Sequence, residues 1–442
     1  MQLQKLWSDL KSSLWFRPTL WVVALTLLAV GLTAVDRQWS LLEGTIARSW
    51  LIVGGVQGAR TMLGSIGSAM LTVISLTFSI MMVAVVQTAN TYSPRILRQY
   101  LGDSANQNVL GILIGTFLFT LLVLRGVRDQ DDFVPLIATN FSLLLSLFSV
   151  GALIYFINHV SHSIKVNNIV AMVLENAMEN LEPHYPAPVG ESCWLKDPEL
   201  PPSSAIIWAA ESGYLDLVDA QPLLQTLKEA DAVIGLEPKI GAYVLAGTPL
   251  ATVWPAEAHS EGLAQAVRES LLISQERTMT QDPFYGFQQL SDIGIRALSP
   301  AINDPETTIN VINATSSLLL QWLQCEPVSR YRCDEEGRLR VITHMYSLTD
   351  VLDEAFGQIR RYSRGDVDVL ARLIEVYGEI SRATEEVDIH DTLWEFVERT
   401  LQTADRDVEA PVDRQTINTY LRRTAEILGR DPTPLLLRHH GP

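Results

Sequence analysis

Residues 61–90 read TMLGSIGSAMLTVISLTFSIMMVAVVQTAN, a stretch with no charged side chain. At about 1.5 Å rise per residue it makes ~45 Å of helix, more than the ~30 Å hydrocarbon core of a bilayer requires. Such a helix reads as a membrane span that projects beyond the bilayer or tilts within it. Tyr92-Ser93-Pro94-Arg95 ends it. Pro94 pushes the residue before it into extended geometry, while Ser93 followed by Pro94 suits the cap and first position of a new helix.

Three further apolar stretches surround this span. Leu20–Val35 follows a basic flank of Lys5, Lys11 and Arg17. A signal peptide is the alternative, but no clear small-residue cleavage site ends the run, so it reads as a retained helix. Val109–Leu124 and Phe133–Val160 are separated only by Arg125–Asp132, which predicts an antiparallel helical hairpin. Trp39 and Trp50 mark a candidate interfacial segment. The expectation is a transmembrane domain over 1–165, with spans at about 14–35, 61–90, 109–124 and 133–160.

The spans lack the Asp/Glu/His relay that proton-coupled pumps carry. They carry hydroxyls instead. Ser65, Ser68, Thr72, Ser75 and Ser79 share one face of the second span, and Ser142, Ser146 and Ser149 share one face of the fourth. The third holds Gly111-x-x-x-Gly115, then Thr116 and Thr120. Two readings stand side by side. Small residues and hydroxyls let helices pack closely. Alternatively, several copies of the second span surround an aqueous path. In that case selectivity comes from charges at the mouths, such as Arg95 and Arg98 or Asp129, Asp131 and Asp132.

The remainder of the chain is strongly acidic. The whole protein has 33 basic and 50 acidic residues, for a net charge of −17; the first 165 residues hold 11 and 7 of them, leaving 22 and 43. An excess of acid argues against nucleic acid as a partner and against lying flat on an anionic membrane surface. The three cysteines, Cys193, Cys325 and Cys333, are odd in number and lack CxxC spacing. They predict neither a disulfide framework nor a zinc site, which favours a reducing, cytosolic location. With the N-terminus inside, inner segments carry six basic residues against five outside, a weak bias that agrees. His159 and His162 share a helical face at the membrane edge, but nothing completes a metal site, so they read as interfacial residues.

After a linker helix reaching about Leu181 and a proline-rich stretch over 183–203, residues 205–254 read as a small α+β module; linker and module together cover 166–258. Gly241–Leu250 is similar to the turn segments of lipoyl-like modules, yet offers no lysine for attachment. From 259 to 442 the sequence reads as a helical cytosolic domain. Its expected helices begin at Ala264–Ser274 and Phe284–Leu298. Another starts at Pro305 behind the cap Asp304, and several follow from Asp350 onward. The fold class is therefore an α-helical membrane protein: a four-helix transmembrane region followed by a mostly α soluble domain with a small β-rich insert. Nucleotide-loop, HExxH and GxSxG signatures are missing, so no enzyme, cofactor or metal is expected.

Several motifs carry a resemblance. They are Ser13-Leu-Trp-Phe-Arg-Pro18, Phe78-Ser79-Ile80, Tyr92-Ser-Pro-Arg95, Leu110-Gly111 with Gly115-Thr-Phe117, Tyr155-Phe-Ile-Asn-His159, Ser212-Gly-Tyr214 and, most specific, Leu298-Ser-Pro-Ala-Ile-Asn-Asp-Pro305. Together they resemble the bacterial inner-membrane family catalogued as domain of unknown function 2254. The resemblance implies a multi-span membrane protein and transfers no activity.

Two functions follow as expectations. One is an oligomeric channel with a cytosolic regulatory domain, its second span lining the path. The other is a membrane-anchored sensor or scaffold. In that reading Arg296 beside the Asn303-Asp304 cap, or the cluster Arg360, Arg361 and Arg364, attracts an unknown small anion; a solvated helix face is the plainer account of the arginines. Pairing of Arg95 with Asp304 at the membrane edge, near Ser93 and Asn303, would couple the halves. The expected partners are the bilayer and further copies of the chain.

Overall fold

The computed structural model describes residues 15–39, 55–91, 103–128, 133–163, 165–184, 190–196, 198–326 and 328–438. The chain divides into two compact units, 1–168 and 169–442.

The first unit has four helices: α1 (Phe16–Trp39), α2 (Gly55–Thr91), α3 (Ser104–Gly126) and α4 (Leu136–Ser163). All four are long and apolar enough to cross a membrane. The second, at 37 residues, starts six residues before the expected span, because Gly55-Val-Gln-Gly-Ala-Arg60 continues the helix despite its polar composition. The third starts five residues early for the same reason. Asp103 caps it by accepting from the Ala105 amide, and its polar first turn, Asn106 and Gln107, is buried. α3 is the most enclosed of the four and packs against each of the others.

Glycines set that packing. A Cβ on Gly115 would lie 2.6 Å from Leu25 Cδ1, and one on Gly111 only 2.8 Å from Pro18 Cα. The Gly111-x-x-x-Gly115 motif is thus where α1 lies against α3. Asp36, buried near the end of α1, accepts from the amides of Ile137 and Ala138, both at 3.0 Å, and so caps α4. Elsewhere α1, α2 and α4 expose large apolar side chains, among them Leu27, Val83, Leu147 and Ile154. Apolar surface on this scale suits lipid and not water.

The second unit opens with α5 (Val166–His184), whose buried Ile169, Val173, Ala177 and Leu181 form one face. Its strands are β1 (Glu191–Ser192), β2 (Ala205–Trp208), β3 (Gly213–Val218), β4 (Val233–Leu236), β5 (Tyr243–Val244), β6 (Pro249–Trp254), β7 (Leu271–Ser274), β8 (Tyr331–Cys333) and β9 (Leu339–Ile342). One sheet runs β1-β8-β9-β4-β6-β2 and a smaller one β5-β3-β7; among the described residues only β4–β9 is parallel. Helices α6 (Ala220–Glu229) and α7 (Glu261–Ser270) cover a core that includes Leu215, Leu227, Ile234, Val253 and Val267.

Two expectations change here. The helix expected over Ala264–Ser274 stops at Ser270, and Leu271–Ser274 becomes β7, paired with β3. These residues continue an apolar pattern that a helix would also satisfy, so pairing decides the outcome. The cysteine reading is also corrected. Cys193 and Cys333 form a disulfide that fastens β1 to β8, while the Cys325 thiol donates to the Gln321 carbonyl. Spacing gave no sign of a bond between residues 140 apart.

The remaining helices are α8 (Tyr285–Ala297), α9 (Pro305–Gln324), α10 (Leu348–Leu352), α11 (Gln358–Tyr362), α12 (Val367–Ser381), α13 (Val387–Asp407) and α14 (Pro411–Leu428). A π-helical turn over Asp353–Gly357 joins α10 to α11. Tyr377 packs edge-on between Phe356 and Phe396 in their shared core.

Candidate functional site

In the membrane unit, Ser65, Ser68, Thr72, Ser75 and Ser79 are all exposed. The opposite face of α2, with Leu63, Met70, Met81 and Ala84, is buried against its own bundle. The stripe therefore turns away from the other three helices. Thr72, Ser75 and Ser79 donate to the carbonyls of Ser68, Leu71 and Ser75, which consumes their protons and leaves acceptor oxygens facing out. On α4 the outcome is the opposite. Ser142 and Ser149 are buried, and Ser149 donates to Thr116 on α3 at 3.1 Å. Periodicity found both stripes, but only the α4 hydroxyls pack within the chain.

His159, on α4, bonds to Asp103, the cap of α3, with Tyr155 stacked on its ring. His162 bonds to the Asn158 carbonyl. The two histidines therefore do different work. Ser93 and Arg95 lie outside the described residues.

In the soluble unit, the stretch Leu298–Asp304 turns sharply between α8 and α9. Asn303 adopts a left-handed φ of 49°, the Asp304 amide reaches back to the Ala297 carbonyl, and the Asp304 carboxylate caps α9 at the Thr307 amide, 3.1 Å away. A second turn, Tyr362–Asp366, joins α11 to α12. Arg364 and Gly365 are both left-handed there, and Asp366 caps α12 at the Val369 amide, 3.0 Å away. The two turns face each other across a cleft of about 490 Å³. Leu298, Pro300 and Asn303 form one wall, and Tyr362, Arg364 and Asp366 the other.

The structure thus brings Asn303 and Arg364 together and separates the remaining arginines. Arg360 donates to Thr403 Oγ1 at 2.7 Å and to the Arg399 carbonyl, so it ties α11 to α13; burial lowers its pKa below the ordinary arginine value. Arg361 is exposed, and Arg296 is half-buried in the last turn of α8.

Sequence reading missed a buried polar cluster in the loop before α8. Arg277 donates to Asp282 at 2.6 Å and to Gln288 at 2.7 Å, and its guanidinium lies over the Tyr285 ring. Burial pushes the Asp282 carboxyl up from the ordinary range, with Arg277 opposing. Burial, with the nearby Asp282 charge, also raises Tyr346. The residues converge only through tertiary folding, and no periodic pattern marked them.

The family model described as "Predicted membrane protein (DUF2254)" matches residues 11–379. An uncharacterized protein of Mycobacterium bovis and one of Mycobacterium tuberculosis are each 29% identical over 436 residues, covering 96% of this chain and 82% of the relative. No solved structure matches. Four apolar helices, together with a match that spans both units and includes both turns of the cleft, place the chain plainly: it belongs to the DUF2254 family of predicted membrane proteins.

Proposed function

We propose that the protein works as an assembly of several copies, a multi-pass inner-membrane channel whose α2 helices surround a hydroxyl-lined path, with the soluble unit as its regulatory part. One observation carries the reading: the five hydroxyls of α2 face away from their own bundle. A single back-bonded serine facing lipid costs little. A stripe of five outward oxygens favours a polar neighbour, because hydrocarbon offers them no donor. Acceptor oxygens would favour cations, as carbonyl-lined filters do. Neither catalysis nor nucleic-acid binding enters this reading.

Four crossings return both termini to one side. The basic flank of the first helix supports the cytoplasmic side. The Cys193–Cys333 bond weighs against it, since reducing compartments seldom keep disulfides. A carboxy-terminal reporter fusion active only in the cytoplasm would decide between them.

A second reading, a membrane-anchored sensor acting through its soluble unit, is favoured by the cleft between the Asn303 and Arg364 turns. Single-channel recording of the full chain in planar bilayers tests the first reading. A thiol-reactive cation should cut the conductance of Ser75→Cys and leave that of Met81→Cys, on the buried face, unchanged. A silent bilayer containing folded protein would overturn the channel.

A further inference from the structure

We propose that the cleft between the Leu298–Asp304 and Tyr362–Asp366 turns is a binding site for a small organic molecule that carries one oxyanion, carboxylate or phosphate, on an apolar or ring-shaped body. The inference deepens the sensor reading and rests on it only for its consequence, since binding itself can be measured apart from any membrane event.

Arg364 supplies the charge. Its guanidinium is exposed at the cleft and, among the described residues, has no hydrogen bond or ion pair, although the unit around it is acidic and Arg360, one turn before it, is engaged with Thr403. A fork of five donors left open beside a cavity suits a planar or tetrahedral oxyanion, which it can hold through two parallel bonds. Ser363 is right-handed and Arg364 left-handed, the backbone sequence found in anion-binding turns.

Across the cleft the Asn303 side chain is exposed and, among the described residues, without a partner, so its amide can donate to the same group. Two other side chains of the Arg364 turn are engaged locally. The Ser363 hydroxyl donates to the Arg360 carbonyl, and one Asp366 oxygen accepts from the Val369 amide. Asp366 still carries negative charge at the rim. It opposes a guest with several oxyanions, by the same Coulomb argument that draws a single oxyanion to Arg364. Leu298, Pro300 and the half-exposed Tyr362 ring offer the guest's body an apolar strip. The volume of about 490 Å³ falls in the range of small-molecule pockets.

The test uses the full chain in nanodiscs and three probes. Phenyl phosphate and benzoate share a ring and differ in their oxyanion, and inorganic phosphate has no ring. Thermal melting is followed against probe concentration, since a ligand of the native state raises the midpoint. A rise with one ring-bearing probe at concentrations where inorganic phosphate gives less is expected, and which probe acts identifies the oxyanion.

Arg364→Gly and Asn303→Gly both keep the left-handed turn, because glycine adopts positive φ freely. The first should abolish the rise and the second weaken it. Arg364→Lys, which keeps the charge but loses the fork, should bind roughly tenfold more weakly. Arg382→Ala, at an exposed arginine away from the cleft, should respond as wild type does. No rise with any probe, or a rise that survives Arg364→Gly, overturns the site. If Arg364→Gly misfolds, a response to the ring-bearing probes that Asn303→Gly and Arg364→Lys both leave intact overturns it equally. Binding that leaves conductance unchanged would remove the sensor role and keep the site; absence of binding would remove the site and leave the channel reading untouched.

Discussion

Asp334 is a buried carboxylate beside β8. Its Oδ1 accepts from the amides of Glu336 and Arg338 at 3.0 and 2.9 Å, and its Oδ2 accepts from Arg340 Nε at 2.8 Å. Burial alone would raise this carboxyl, but the three donors outweigh it and hold it below the usual carboxylate value. The sign follows from linkage. As pH falls, the unfolded chain takes up the proton before the folded one does, so the stabilisation is present above about pH 3.9 and is lost as pH falls through the folded value. Asp334→Asn should therefore melt below wild type at pH 7, and the gap should close in acid; a constant gap down to pH 3 would contradict the assignment. Other residue-scale features were visible beforehand. Asp304 announced its cap through the local run Asp-Pro-Glu, because capping depends only on neighbours in the chain. Asn303 and Arg364 were each picked out from sequence, but nothing local could tell that their turns face one another.

At the scale of elements, hydropathy marked all four apolar helices, because twenty or so consecutive uncharged residues have few other uses. Their ends were less legible. Polar first turns such as Asn106-Gln107 are buried by neighbours that the local sequence does not name. The glycines of these helices separate into two kinds. Gly111 and Gly115 sit where α1 touches α3, whereas a Cβ on Gly64 of α2 would meet nothing within 4 Å. Gly115→Leu should cost about 1–3 kcal/mol or more through overpacking, read as a lower melting temperature and aggregation in detergent. Gly64→Ala should be neutral or stabilising by up to about 1 kcal/mol, since it removes only backbone freedom. Equal damage from the two would mean that α1 does not pack on α3 through its glycines. The hydroxyl stripe of α2 shows the limit of periodicity: spacing assigns residues to one face and is silent on which way that face points.

For the whole molecule, the division into an apolar and an acidic part was legible from charge and hydropathy, whereas the joining of distant segments was not. Strands β8 and β9 complete a sheet begun more than ninety residues earlier, and Cys193 finds Cys333 across it. A bond closing so long a loop constrains the unfolded chain by about 4–5 kcal/mol in the chain-entropy view. Reductant should therefore lower the melting temperature of wild type and leave that of Cys193→Ser unchanged; matching responses would show that the bond does not form. The length of α2 has a mechanical consequence. Its 37 residues make roughly 55 Å of helix; were it to cross a bilayer at a tilt of about 40°, near the upper end for such helices, only some 39 Å of it would lie in a 30 Å core. On the proposed spanning arrangement, bilayer thickness would help set how many of the residues from Ser65 to Ser79 lie in hydrocarbon. Lateral tension, which thins the membrane, would slide the polar stripe toward headgroups and water, so lipid composition alone can tune this helix without any ligand.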